Sequence, residues 1–238
     1  MLARGAVNAP AHFWDRFQAV RTFFLILIGL ALSVQAQKMT LGEVLVFTPF
    51  GQARPAGSNG HVFQSDRGSR KGQYMLAWTG GANDTRPAAA PGSTAEASEY
   101  RLLSPGTVGP LPDVDVLGIH YIKVRPDRRE AFEKYVGGTL HPAVGNLRPD
   151  LRLLYYKAVA GPDTGSYITI FALTQASRDK YWPGGSDSDD LRTAFAPVKA
   201  HTKELLTYLA DNSALTDEKF AAAVYESREW ADFVLVPR

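Results

Sequence analysis

Several histidines and tyrosines of this chain interrupt otherwise apolar segments, and His120 is the clearest case. It lies with Tyr121 in the run from Val114 to Val124 (VDVLGIHYIKV), which is typical of a largely buried strand. A histidine in such a strand needs a hydrogen-bonding partner or a wet cavity. His120 is therefore either a core histidine bonded to backbone or a polar group that faces a ligand cavity. Gly118 lies on the same face of the strand and would leave space there, which favours the cavity.

Four further side chains are candidates for the wall of this cavity. Tyr156 follows Tyr155 in a later apolar run, so the two rings point to opposite faces of a strand. His141 lies where a predicted helix breaks, and there it either faces the pocket or only compensates the helix dipole. His201 lies near the edge of a helical apolar stripe, and Trp182 either covers the pocket or fills the core. The predicted ligand-binding set is His120, Tyr121, His141, Tyr156, Trp182 and His201.

The sequence carries no catalytic or metal-binding motif. Its candidate histidines lie on three different elements without HxH or HExxH spacing, whereas a zinc site needs at least three converging protein ligands. The acidic cluster at 187–190 lacks the DxDxDG loop and the distal glutamate of a calcium site. The glycine-rich pieces at 137–138 and 182–186 lack the order of a phosphate-binding loop, and no GxSxG elbow is present. We therefore expect no metal and no cofactor, and no catalytic residue can be assigned.

The elements that must position these side chains follow from periodicity in the last half of the chain. Apolar residues recur every three to four positions in the predicted helices, and Pro126 with Asp127 suits a first helical turn. The predicted elements are a strand at 114–124, a helix at 127–140, a hairpin of 151–159 and 166–174, helices at 188–210 and 216–226, and a strand at 230–236. The order β-α-β-β-α-β is that of a ferredoxin-like fold.

Three short apolar runs nearer the N-terminus, at 43–50, 61–64 and 73–79, are rich in β-branched and aromatic residues and predict strands. The ten residues between the first two leave no room for a crossover helix. Lys71–Thr79 (KGQYMLAWT) is similar to Thr164–Ala172 (TGSYITIFA) in its glycine, its tyrosine and a later aromatic residue. These segments are either the remnant of a duplicated β-β unit or simply two amphipathic strands that follow glycine turns.

An apolar run near the N-terminus predicts export. Phe23 to Val34 (FFLILIGLALSV) follows Arg16 and Arg21. A membrane span needs roughly 20 apolar residues, and a run of about 10–14 is typical of a signal-peptide core. Small residues before a cut after Ala36 suit signal peptidase. The alternatives are a buried core helix and an uncleaved anchor. We expect a periplasmic or extracellular protein with no membrane segment after cleavage.

The predicted organisation has four parts: a signal peptide at 1–36, a β-rich segment at 37–79, a Gly/Pro/Ala-rich linker at 80–110 and an α+β domain at 111–238. The 238 residues include no cysteine, so disulfides and thiolate chemistry are excluded. The net charge of +2 comes from interspersed signs, whereas nucleic-acid binding needs clustered Lys and Arg. We therefore expect no nucleic-acid partner.

The segments GIHYIKVRPDRREAFEKYV and LRLLYYKAVAGPDTGSYITIFALTQASRDKYW, with the closing DFVLV, resemble the dimeric α+β barrel superfamily. That group includes antibiotic-biosynthesis-type monooxygenases, NIPSNAP-like and EthD-like proteins. The resemblance covers about 111–238 and implies a ferredoxin-like sheet that pairs with a second sheet to form a barrel, in a homodimer or an intramolecular pseudo-dimer. It also implies a small-molecule cavity between sheet and helices, and it assigns no catalytic residue. Residues 43–79 could supply the partnering sheet.

Three functional hypotheses follow. The first is an exported protein that binds a small molecule between sheet and helices. The second is a cofactor-independent monooxygenase that acts on an aromatic substrate or haem, which the Trp, Tyr and His content would suit. The third is a structural oligomerisation module.

Overall fold

The computed structural model describes residues 38–52, 54, 55, 60–84, 96–144, 148–210 and 229–237. Ten strands lie in these residues: β1 (Met39–Thr40), β2 (Val44–Gly51), β3 (His61–Gly68), β4 (Tyr74–Gly80), β5 (Ser98–Leu102), β6 (Asp113–Val114), β7 (Val116–Ile122), β8 (Arg152–Ala160), β9 (Tyr167–Leu173) and β10 (Trp230–Leu235). The predicted signal peptide at 1–36 and the predicted helix at 216–226 lie outside the described residues.

The helices of the described residues follow β7 and β9. They are α1 (Arg129–Tyr135), a π-helix (Val136–Leu140), α2 (His141–Val144), α3 (Gln175–Tyr181) and α4 (Asp189–Tyr208), with 3₁₀ turns at Pro105–Thr107, Pro126–Arg128 and Pro183–Gly185. In the described part of the chain, none of the helices combines the length and the apolar character that crossing a bilayer requires.

Eight strands close into a barrel in the order β10-β3-β4-β2-β5-β8-β9-β7, and every neighbouring pair is antiparallel. The short strands β1 and β6 form a separate two-stranded sheet. The predicted α+β class with a barrel is confirmed. The barrel closes within one chain, because β2, β3 and β4 from the N-terminal segment pair into the same ring as the later strands.

The barrel consists of two sets of four strands with one internal order. We name β5-β2-β4-β3 the first-half sheet and β10-β7-β9-β8 the second-half sheet. If the four strands of each half are numbered in chain order, the spatial order across each sheet is fourth, first, third, second. The halves join through the pairs β10–β3 and β5–β8, so the fourth strand of each half pairs with the second strand of the other.

The pairing register also corresponds between the halves. We align the third strands of the two halves so that Tyr74 corresponds to Tyr167. The pair Thr48–Leu76 of the first half then corresponds to the pair His120–Thr169 of the second. Both junctions carry a register shift at the corresponding place. These shifts lie between Asp232 and Phe233 in one junction and between Glu99 and Tyr100 in the other. The similarity of the 71–79 and 164–172 sequences therefore falls on corresponding third strands.

The two hairpins have the same turn. Gly68 and Gly161 have φ angles of 85° and 87°, and Gly72 and Gly165, four residues later, have 85° and 82°. The later glycine donates to the strand before the turn in both, from Gly72 N to Ser65 O at 2.7 Å and from Gly165 N to Ala158 O at 2.9 Å. Glycine suits these positive φ values, which cost other residues free energy.

Two predictions need correction. The predicted linker at 80–110 contains β5, whose Ser98, Tyr100 and Leu102 are buried while Arg101 is exposed. Its SEYRL sequence has a single aliphatic residue, so pairing with β2 and β8 defines this strand more than hydrophobicity does. The predicted helix at 127–140 does not break at His141 but continues through the π-helix into α2. A Cβ on Gly137 would overlap Ser104 Oγ, so the glycine permits close packing here.

Two apolar cores lie on the two faces of the second-half sheet. The barrel interior contains alternate strand residues such as Leu45, Phe63, Tyr100, Ile119 and Phe233. The outer core lies between the second-half sheet and the helices, and Phe132, Tyr155, Phe171, Leu191 and Phe195 belong to it. Neighbouring residues of one strand therefore face different cores.

A fragment of residues 111–238 should form a dimer. It retains the second-half sheet but exposes the edges of β8 and β10, which pair with β5 and β3 in the full chain. Because the junction registers correspond, β8 of one copy can pair with β10 of another. Size-exclusion chromatography with light scattering should give a dimer with a β-rich circular dichroism spectrum, whereas residues 37–238 should be monomeric. A stably folded, monomeric fragment would contradict this prediction.

Candidate ligand-binding site

The six sequence-predicted side chains do not converge on one point, because the second-half sheet separates them. His120 lies on the outer face of β7, where its ring contacts Phe171 of the outer core. Trp182 contacts the same phenylalanine from the helix side. Tyr121 and Tyr156 instead belong to the barrel interior. The structure thus brings His120 and Trp182 together and places the two tyrosines on the other face.

The imidazole of His120 is enclosed by aromatic rings. His120 is 6% exposed, and its ring centroid lies 5.3 Å from that of Phe171 and 6.2 Å from that of Trp230. The Trp230 ring stacks within 18° of parallel. Burial lowers the pKa of His120 from 6.5 to about 3. The ring is therefore neutral at physiological pH, with one nitrogen that donates and one that accepts.

Thr169, which the sequence did not single out, lies directly opposite His120 in the β7–β9 pair. Its side chain is 0% exposed, and its Oγ1 makes no hydrogen bond with any of the described residues. A buried hydroxyl without a partner costs about 1–3 kcal/mol. The only signal in the sequence was a single polar residue in the strand YITIFAL, and threonine is common in strands for its shape alone.

Aromatic side chains from the helices cover the sheet next to these two residues. The Phe171 ring centroid lies 5.7 Å from that of Trp182 and 5.7 Å from that of Phe195 of α4. Trp182 follows α3, whose first turn is fixed by Thr174 Oγ1, which accepts from Ser177 N at 3.1 Å. This capping box holds the start of α3 and thereby positions the tryptophan at its end.

Gly118 does not leave the free space that the sequence suggested. A Cβ on Gly118 would lie 3.1 Å from Phe171 Cβ and 3.2 Å from Asp232 Oδ1. The two residues that pair with Gly118 on either side, Asp232 and Phe171, therefore occupy the space above it. The glycine brings a carboxylate and an aromatic ring close together beside His120.

A buried arginine lies over this carboxylate. The side chain of Arg178 on α3 is 10% exposed, and its Nη1 donates to both carboxylate oxygens of Asp66, at 3.0 Å and 2.8 Å. The same nitrogen lies 3.9 Å from Asp232 Oδ2. Burial raises the pKa of Asp232 to about 6, Arg178 lowers it and Asp66 raises it. No pattern in the sequence indicates this group of Arg178, Asp66 and Asp232, because its members lie on α3, β3 and β10.

His141 makes structural hydrogen bonds. It is 0% exposed, and its Nε2 accepts from Tyr155 N at 3.1 Å, beyond the end of β5. Because Nε2 accepts, the neutral ring carries its proton on Nδ1, which lies 3.4 Å from Thr107 Oγ1. Burial lowers the pKa of His141 to about 4, and a backbone hydrogen bond with Leu103 raises it. The ring thus helps to hold α2 to the edge of β8.

His201 lies on α4 and is partly exposed, and its backbone oxygen accepts from Tyr135 Oη at 3.1 Å. This bond ties α4 to α1 through the backbone. His201 therefore lies in the helix layer.

The tyrosines of the barrel interior hold the two ends of the barrel. Tyr156 Oη donates to Gly42 O at 3.0 Å, and burial raises the pKa of Tyr156. At the other end, the Arg70 guanidinium lies 4.2 Å from the centroid of the Tyr121 ring, and burial raises the pKa of Tyr121 to about 12. Tyr100 Oη donates to Asp163 there at 2.6 Å.

The first-half sheet provides an internal comparison for the outer-face residues. The corresponding positions of Gly118, His120 and Thr169 hold Val46, Thr48 and Leu76. A barrel of this register therefore does not require an imidazole or a buried hydroxyl at these positions. The polar pair His120–Thr169 lies only on the sheet that the helices of the described residues cover.

Across the described ranges, no group of three or more His, Cys, Asp or Glu residues is arranged to hold a metal ion. No protein-family model matches this chain, and no curated protein matches it. The geometry of the outer face is therefore the basis for a functional proposal.

We expect the free energy of unfolding to fall as the pH falls from about 6.5 to about 4. Unfolded His120 and His141 take up protons near 6.5, whereas their folded-state pKa values are about 3 and about 4. Asp232 acts in the opposite sense, because its folded-state pKa is raised from 3.8 to about 6 and the folded chain is protonated first. Between its folded-state and unfolded-state pKa values, each group changes the free energy of unfolding by on the order of 1 kcal/mol per pH unit. The two histidines together therefore outweigh Asp232, and the net effect is a loss of stability.

Urea denaturation between about pH 7 and pH 4.5 measures this slope. Asp232→Asn removes the opposing group and should make the loss of stability on acidification steeper, whereas His120→Gln should make it shallower. An unchanged slope in both variants would show that these buried groups do not determine the acid sensitivity.

Proposed function

We propose that the protein binds a small, mostly apolar molecule between the second-half sheet and helices α3 and α4. In this proposal Thr169 and His120 make the polar contacts, and Phe171, Trp182 and Trp230 form the aromatic wall. The observation that carries the proposal is the buried Thr169 hydroxyl, which has no hydrogen-bond partner in the described part of the chain. Polar atoms in protein interiors are nearly always paired, with protein groups, ordered water or a bound molecule, and in this proposal a bound molecule is the partner of Thr169.

The neutral state of His120 favours an uncharged ligand. With its pKa lowered to about 3, the imidazole carries no positive charge. A hydroxyl group on an aromatic ring suits the Thr169 hydroxyl beside it, because the ligand oxygen can donate to Thr169 or accept from it while the ring packs against Trp182 or Trp230.

The same pKa argues against a proton-transfer role and hence against the monooxygenase alternative. A general base works best when its pKa lies near the operating pH, and His120 is far below it. The oligomerisation alternative is also disfavoured, because the barrel closes with strands of a single chain. Binding therefore remains the best-supported function.

We also propose that each half derives from a ferredoxin-like unit of the dimeric α+β barrel type and that the first half lost the helix between its first and second strands. The shared strand order, register and turns support this origin. Residues 52–60 join β2 to β3, whereas residues 123–151, which contain α1, the π-helix and α2, join β7 to β8. In this view the chain is an intramolecular pseudo-dimer, and a homodimer is not needed to complete the barrel.

Export remains part of the proposal. The apolar run at 23–34 and the small residues before position 37 support cleavage after Ala36 and release into the periplasm or the medium. Intact-mass measurement of protein from the cell envelope and medium should give a chain that begins at Gln37. A full-length chain confined to the cytoplasm would contradict this prediction.

The binding proposal predicts that Thr169→Val stabilises the protein and weakens binding. The substitution keeps the side-chain shape and removes the unpaired hydroxyl, so the free energy of unfolding should rise by about 1 kcal/mol. Isothermal titration calorimetry with 2-naphthol should show binding to the wild type and about tenfold weaker binding to the variant. Thr169→Ser keeps the hydroxyl and is the matched control: it should bind 2-naphthol nearly as well as the wild type while being less stable. Equal binding by Thr169→Val and wild type, or no binding at all, would contradict the proposal.

A further inference from the structure

Arg178 uses only part of its hydrogen-bonding capacity. Both oxygens of Asp66 contact a single nitrogen, Nη1, whereas arginine usually pairs with a carboxylate through two parallel N–H groups. The Nε–H group is buried and has no hydrogen-bond partner within the described ranges. The side chain is 10% exposed, so solvent does not readily supply one. A strong donor is therefore left without an acceptor among the residues that the structure describes.

The position of Arg178 relates this donor to the proposed ligand site. Arg178 and Trp182 are four residues apart, and Trp182 N donates to Arg178 O at 2.8 Å, so the two residues lie on one face of α3 and its last turn. Trp182 contacts Phe171, and Arg178 contacts Asp232, while Gly118 lies between Phe171 and Asp232 in the sheet. The arginine and the tryptophan thus cover adjacent parts of the same outer face.

The distance between the two unpaired groups sets the size of a molecule that could satisfy both. Asp232, below Arg178, is two strands and two residues away from Thr169. Strand spacing and rise per residue make this about 12 Å between Cα atoms. A molecule of two fused aromatic rings with a polar group at each end has a length of this order.

The surrounding charges select against an anionic ligand. Asp66 and Asp232 both lie within 4 Å of the Arg178 guanidinium, and Arg67 also lowers the pKa of Asp232, so two carboxylates already balance the two cations here. A ligand carboxylate would add a third negative charge in a desolvated region, which is unfavourable. A neutral acceptor adds no charge and still satisfies the Nε–H group.

We propose that the ligand carries an uncharged carbonyl oxygen, as in an aromatic ketone, that accepts a hydrogen bond from Arg178 Nε. The inference rests on the proposed ligand site between the second-half sheet and the helices. It assigns the ligand's class, an uncharged aromatic carbonyl compound, and makes Arg178 its specificity-determining residue.

Three naphthalene probes of similar size, of which the ethyl compound lacks only the oxygen of the ketone, test this inference by calorimetry on the mature chain: 2-acetylnaphthalene, 2-ethylnaphthalene and 2-naphthoate. The wild type should bind the ketone about tenfold more tightly than the ethyl compound, because a hydrogen bond to a charged donor is worth at least this factor. It should bind the naphthoate more weakly than the ketone at about pH 7. The naphthoate affinity should increase near pH 5, where Asp232, with its pKa raised to about 6, loses its charge.

Two variants separate a hydrogen bond from a structural effect. Arg178→Lys keeps a cation near Asp66 but has no Nε–H group, so it should lose the preference for the ketone and bind 2-ethylnaphthalene as the wild type does. Asp66→Asn weakens the ion pair but keeps Nε–H, so the preference should remain. If the wild type binds the ketone and the ethyl compound equally, the role of Arg178 is refuted while the ligand site stands. If none of the three probes binds, the proposed function itself is refuted.

Discussion

Closure of the barrel at its two junctions is the constraint on which the rest of the structure depends. The second strand of each half must find the fourth strand of the other, and a slip of one residue at either junction would move every side chain of a strand to the opposite face. The corresponding register shifts at Asp232–Phe233 and Glu99–Tyr100 are part of this match. A shift of this kind bends the strand that carries it, so the strands at each junction can curve with the barrel while their apolar residues stay inside.

This register determines which face of the sheet each side chain occupies, and thereby which polar side chains meet on the outer face. With Ile119 fixed in the barrel interior, His120 must point to the outer face, and its partner in the ladder is Thr169. With Phe233 inside, Asp232 must point outward and meet Arg178 from α3. Asp66 lies at the register shift in the β10–β3 pair, where it reaches the same arginine. The way the barrel closes thus determines where the polar side chains of the outer face lie.

The sequence predicts the elements well where periodicity is strong. The strands around His120, the hairpin with its two glycines and the amphipathic helices that lie within the described residues could be placed from apolar spacing alone. β5 could not, because SEYRL has few apolar residues and becomes a strand through pairing with two neighbours. For the candidate site, strand alternation separates Tyr155 from Tyr156 but does not say which face meets the helices. Thr169 and the Arg178 group were missed because burial and convergence of distant residues have no local signature.

The two hairpins at one end of the barrel show what joining both halves in one polypeptide permits. Arg70 and Asp163 occupy corresponding places in identical turns, and they carry opposite charges: one lies over Tyr121 and the other accepts from Tyr100. A dimer of identical subunits must present the same residue twice across its axis and so cannot combine a cation with an anion there. A single chain with two halves of different sequence is free of that restriction, because a residue can change in one half without changing in the other. The outer face shows the same freedom, since His120 and Thr169 of one half correspond to Thr48 and Leu76 of the other.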